Sequence, residues 1–177
     1  MGVDKAFIEI DGVPLWRRQF EILRSVGPQE LFIAGPAHEE WSNAGGTVIP
    51  DAQSNAGPLA ALVAALRRCS TTHVLALAVD LPHMTADHLG HLLDNRDDGL
   101  GVIPVRNERF EPVAAVYPRE ALPLAESCLA SGDHSLQAFA ARCVAARFAT
   151  TIEISTADEP LFLNMNTPAD LAAVAAE

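Results

Sequence analysis

The chain has 177 residues and a mass of 18.9 kDa, with 12 basic and 23 acidic side chains and a formal net charge of −11. That length fits one domain, residues 1–177, with a sizeable core, and 49% hydrophobic against 20% charged residues excludes a disordered tail protein. The acidic balance disfavours nucleic acid as a partner, because phosphate backbones need a positive face; a single small phosphorylated ligand is still open.

No uninterrupted apolar run approaches a membrane span, and the N-terminus lacks a basic start and an apolar signal core. Cys69, Cys128 and Cys143 are odd in number and widely spaced, which suits a reducing compartment and gives no zinc spacing. A soluble, cytoplasmic protein without a membrane partner is expected.

Strand-like and helix-like segments alternate, the pattern of a mainly parallel sheet with helices on its faces. Phe7–Ile10 reads as a strand turned by Asp11-Gly12, and apolar positions from Leu15 to Val26 recur at helical spacing until Gly27-Pro28. Glu30–Ala34 and Thr47–Ile49 read as strands on either side of a short helix around Ala37–Ser42. Pro50–Gly57 is polar and turn-rich, and Pro58 opens a helix to about Cys69. His73–Val79 is apolar at nearly every position, as a central parallel strand covered on both faces would be. Thr85 caps a helix to about Leu93; Gly101–Val105 and Pro112–Tyr117 read as strands paired across the charged link Arg106–Glu111. Helices at Glu120–Ala130 and Ser135–Cys143, a strand near Arg147–Ile154 and a last helix from Thr167 to Ala176 complete the chain.

Asp80 follows the most apolar strand directly. Ligands of open parallel sheets bind beyond the carboxyl ends of the strands, and Mg²⁺ takes carboxylate oxygens together with substrate phosphates. A metal role for Asp80 therefore stands beside the plainer one of capping a turn before Pro82. Pro50–Pro58 is a second loop at a strand end: Gly57-Pro58 opens a helix N-terminus that favours anions, and Asp51 can accept hydrogen bonds from a base or sugar. Asn164 and Asn166 alternate, so a strand would put both on one face; helix capping accounts for one of them, not both. Lys5 is the only lysine among the 12 basic residues, a compact ammonium that a guanidinium does not replace, although an incidental surface lysine would count the same. Arg106 and Arg109 sit where an anionic substrate could meet them. His83, His88 and His91 could be drawn as a metal cluster, but the apolar helix around them supplies no further ligands.

Taken together, the stretches Met1–Ala6, Gly12–Leu15, Ala56–Leu59, Val79–Pro82, Glu111–Tyr117, Ser131–Leu136 and Asn164–Pro168 resemble, in order, the molybdenum cofactor guanylyltransferase family. The resemblance implies a three-layer, Rossmann-like nucleotidyltransferase fold of the nucleotide-diphospho-sugar transferase type. It implies transfer of GMP from GTP to molybdopterin with release of pyrophosphate, and cofactor-synthesis proteins and recipient molybdoenzymes as further partners. Matched residue by residue, Lys5 would neutralise GTP phosphates, Asp51 and Gly57 would help hold the nucleotide, and Asp80 would bind its Mg²⁺. Asn164 and Asn166 would lie near the metal and the pterin.

Two departures stand out. The family begins with an apolar strand and a glycine-rich loop, and this chain begins at that loop's final Met-Gly; the expectation is that Met1 is a misassigned or truncated start, leaving the first strand out. A family asparagine after the Glu30–Ala34 strand is Ala34 here. A cytidylyl- or sugar-phosphate nucleotidyltransferase, and a non-catalytic protein binding the cofactor or a partner, are the alternatives.

Overall fold

Local start and stop signals place most elements of the computed structural model, which describes residues 4–53 and 56–165. A 3-10 turn at Lys5–Phe7, capped by Asp4, leads into the hairpin β1 (Glu9–Ile10) and β2 (Val13–Pro14). Helix α1 (Leu15–Ser25) follows and ends before Gly27, whose φ of 69° is the left-handed conformation that closes a helix. Strands β3 (Phe32–Ala34) and β4 (Thr47–Ile49) pair in parallel, with a 3-10 turn at Glu39–Trp41 between them. Helix α2 (Gly57–Arg68) carries its proline in the first turn and leads to β5 (His73–Leu77). Thr85 caps α3 (Ala86–Asp94), its hydroxyl accepting from the His88 N–H, and Ser135 caps the helix that follows it in the same way. The segment between them holds β6 (Gly101–Arg106), β7 (Arg109–Phe110), β8 (Ala114–Pro118) and α4 (Leu122–Ala130). Helix α5 (Leu136–Ala145), β9 (Ala149–Glu153) and a 3-10 turn at Glu159–Phe162 complete the described elements. The helix expected from Thr167 lies outside the described residues.

The layers follow from strand periodicity. Ile103, Ala115 and Tyr117 point into one apolar core with α2, α4 and α5, while their neighbours Val102, Ala114 and Val116 point into a second core with α3 and Phe162. Successive side chains of a strand face opposite ways, so β6 and β8, buried along nearly their whole length, form the middle of a helix–sheet–helix sandwich.

The larger sheet is mixed, with the order β5-β8-β6-β7 and β9 beside β6. β6 pairs in parallel with β9, whereas β8 runs antiparallel to both β5 and β6. The link from β6 to β8 spans only residues 107–113; a parallel return needs a crossover of a dozen residues or more, so β8 comes back antiparallel. That corrects the expectation for β5. It is half-buried throughout and has one strand neighbour among the described residues, so the sheet's centre lies at β6 and β8. An apolar run reports covered faces, and cross-strand pairing, which composition does not encode, decides centre or edge. No helix among the described residues is long and apolar enough to cross a membrane.

Candidate active site

The turn after β5 is held from three sides. The Ala78 N–H donates to the Val113 carbonyl at 2.8 Å, the Met165 N–H to the Asp80 carbonyl at 2.9 Å, and Gln19 Nε2 to the Leu81 carbonyl at 2.7 Å. Gln19 is the one buried polar side chain among the described residues, only 4% exposed, and it fastens α1 to this turn. The backbone is thus fixed while the Asp80 carboxylate stays partly open. Lys5 Nζ lies 3.3 Å from Asp80 Oδ2. An ion pair this open contributes about 0–1 kcal/mol, so its significance lies in bringing a cation and a carboxylate to one strand end.

Aromatic packing anchors the turn that carries Lys5. Phe7 stacks on Trp41 at 6.0 Å and meets His38 at 4.7 Å, and Trp16 closes the cluster against Trp41 at 6.4 Å. Asp4 caps the same turn, its Oδ1 accepting from the Ala6 N–H at 3.0 Å and its Oδ2 lying 3.8 Å from His38 Nε2. Sequence reasoning missed both this cluster and Gln19. Trp16 and Trp41 are the only tryptophans and were the available signal for the first; an amide inside an amphipathic helix gave none for the second.

A cleft of about 790 Å³ opens beside this pair, within the range of small-molecule sites. β3 and β5 both border it, α2 lies across them, and Asp4, Asp51, Gly57 and Val79 reach its walls. Asp51 and Gly57 therefore share one cleft with the residues flanking Lys5 and Asp80. Partial burial pushes the Asp51 carboxyl upward. Ala34, where the family pattern has asparagine, also lines it and offers only a methyl group.

A second cavity of about 460 Å³ lies under the β6–β7 turn and includes Arg106, Arg109, Glu111 and Asn164. Pro112 and Val113 border both cavities. The Tyr117 hydroxyl, in the core, donates to the Pro112 carbonyl at 2.7 Å; burial pushes its ionisation well up, so it remains a donor. Burial also lifts the Glu111 carboxyl, against the pull of Arg106 and Arg109. Asn164 is exposed and follows the 3-10 turn without belonging to a strand, which corrects the strand expected there: the next N–H, of Met165, is taken by the Asp80 carbonyl, and no strand pairs with Asn164 among the described residues. Asn166 lies outside the described residues.

His88 takes a structural place. Its ring meets Phe162 edge-on at 5.1 Å, and Nδ1 lies 4.0 Å from Asp158. Burial lowers its pKa from the ordinary 6.5, more than Asp158 raises it. The unfolded chain therefore binds a proton that the folded ring refuses, and stability falls as pH drops below about 6.5. The thermal midpoint is expected to decline from pH 7 to 5, and His88→Leu to decline less steeply; parallel slopes would contradict this.

The comparisons agree with this architecture. The family model described as MobA-like NTP transferase domain matches residues 1–148. A protein of Opitutus terrae named "Probable molybdenum cofactor guanylyltransferase" is 33% identical over 173 residues, covering 96% of this chain and 86% of its own. The molybdenum cofactor guanylyltransferase of Serratia proteamaculans is 27% identical, covering 96% and 84%. The crystal structure of molybdopterin-guanine dinucleotide biosynthesis protein A from Archaeoglobus fulgidus superposes with a TM-score of 0.75 at 20% identity, covering 99% of this chain and 90% of that one, which shows a shared fold. With a family match over most of its length and a relative at 33% identity, the chain belongs to the MobA-like NTP transferase domain family.

Proposed function

We propose that the chain is a single nucleotidyltransferase domain, residues 1–177, that transfers GMP from GTP to molybdopterin in the cytoplasm. The observation that carries this reading is the Lys5–Asp80 pair at the end of β5, beside a cleft of nucleotide-site size, in a chain whose relatives are named guanylyltransferases.

An oxygen of the acceptor's terminal phosphate forms a bond to the α-phosphorus of GTP, and the bond from that phosphorus to the bridging oxygen breaks. Pyrophosphate leaves with the electron pair, and no covalent enzyme intermediate is needed. The protein's work is positioning and electrostatics. Lys5 neutralises the GTP phosphates, Asp51 and Gly57 hold the nucleotide, and Asn164 and Asn166 serve the acceptor side.

The residues present fit Mg²⁺. Asp80 offers one partly open carboxylate whose second oxygen accepts no hydrogen bond among the described residues, and no cluster of three or more acidic, His or Cys residues is found there. Mg²⁺ suits such a site, because it binds through one or two carboxylates and takes substrate phosphates and water for the rest. Asp80 would hold the ion, which when bound supplies charge neutralisation on the phosphates.

Cytidylyltransferases share the fold, among them the 2-C-methyl-D-erythritol 4-phosphate enzyme of Thermus thermophilus at a TM-score of 0.70. Equilibrium binding in Mg²⁺ separates the nucleotides: GTP should bind saturably and resist competition by CTP or UTP. Lys5→Ala should weaken GTP binding about tenfold, and Lys5→Arg less, since charge survives but the compact ammonium does not. Preferential CTP binding would move the assignment to a cytidylyl enzyme, and no saturable GTP binding would overturn it.

A further inference from the structure

The smaller cavity has an unusual charge arrangement. Arg106 and Arg109 are direct cross-strand partners in the β6–β7 hairpin, so both side chains leave the same face. Like charges placed opposite one another destabilise a strand pair. The turn joining them is strained as well: Asn107 and Glu108 take φ of 49° and 61°, which a two-residue hairpin requires but glutamate rarely adopts. Glu111 is one carboxylate facing two cations: it lies 3.3 Å from Arg106 and also feels the charge of Arg109. The Arg109 guanidinium makes no ion pair among the described residues, so the cavity keeps one excess positive charge in a chain of net charge −11.

The position of the cavity gives that charge a use. Pro112 and Val113 form its border with the large cleft, and the Val113 carbonyl is bonded to the Ala78 N–H, two residues before Asp80. Asn164, on the other side, precedes the residue whose N–H holds the Asp80 carbonyl. Since Pro112 and Val113 line both cavities, a group seated beside Arg109 adjoins a nucleotide in the large cleft along that shared rim. Gln137 Nε2 is already committed to the Phe110 carbonyl at 2.6 Å, which fixes β7 against α5.

We infer that this cavity is the seat of the acceptor's phosphate monoester, with the Arg109 guanidinium as its anchor and Asn164 as a flanking hydrogen-bond donor. A guanidinium fork matches phosphate oxygens in a bidentate way, and its position opposite Arg106 aims it without a salt bridge to break first. The naming of molybdopterin as acceptor rests on the proposed function; the ligand class, a phosphate monoester, rests on the cavity.

Two measurements on the full chain keep these apart. In equilibrium titrations, Arg109→Ala should weaken molybdopterin binding at least tenfold and Arg109→Lys by an intermediate factor, with GTP affinity and thermal midpoint unchanged. Equal molybdopterin affinity in wild type and Arg109→Ala overturns the inference. Should wild type bind no molybdopterin, the proposed acceptor falls, and chemical protection decides the cavity. Methyl phosphate at millimolar concentration should then shield Arg109 from phenylglyoxal, read by peptide mass spectrometry. Shielding keeps the subsite with a different acceptor; no shielding by either compound removes it.

Discussion

Replacing Asp80 by alanine is expected to reduce GMP transfer by about 10³-fold, roughly 4 kcal/mol of transition-state stabilisation, while the protein stays folded. The two halves of that expectation have separate causes. The turn is held through backbone carbonyls of Asp80 and Leu81, not through the carboxylate, so the side chain can be removed without releasing the loop. The carboxylate itself faces Lys5, through an open pair worth little to stability. Turnover of the full chain and its urea midpoint should therefore separate cleanly. Wild-type turnover in Asp80→Ala would take this residue out of the site, and a large fall in the midpoint would mean the side chain holds the turn after all.

Gly101→Ala should act the other way, on the fold. A Cβ built there meets the Val116 carbonyl oxygen at 2.1 Å and the Pro118 ring at 3.0 Å. Both belong to the central strand β8, where backbone cannot yield cheaply, and we expect a loss of at least about 3 kcal/mol. Gly90→Ala is the matched control: in α3, with nothing within 4 Å, it should gain about 0.5–1 kcal/mol through helix propensity. Urea unfolding of both variants tests the pair, and similar midpoints would contradict the close approach of β6 to β8.

What the sequence made legible follows a physical division. Thr85 and Ser135 marked helix starts because a hydroxyl cap is a local interaction, and Thr47–Ile49 matched its strand because turn residues bounded it on both sides. Asp80 and Lys5 were legible through residue type and ordered motifs, and the fold places them 3.3 Å apart. The position of β5 in the sheet was not legible, since pairing with β8 depends on a return path elsewhere in the chain. Nor was the setting of Asn164, whose neighbour Met165 donates to a carbonyl far away in sequence. Gln19 stayed hidden because its partner, Leu81, lies 62 residues away and offers only backbone.

The rim at Pro112 and Val113, shared by both cavities, makes the interior a gauge for the reaction. Its one carbonyl is latched to the Tyr117 phenol and its other to the backbone beside β5, so the place where two reactants meet along it is set by the packed side chains beneath. Phe139, 5.6 Å from the Tyr117 ring, belongs to that stack and touches no ligand seat. A displacement of about 1 Å can cost about 10²-fold in rate. Alignment of the phosphates is thereby delegated to hydrocarbon remote from them, and repacking of that hydrocarbon would register as slow chemistry before it registered as unfolding.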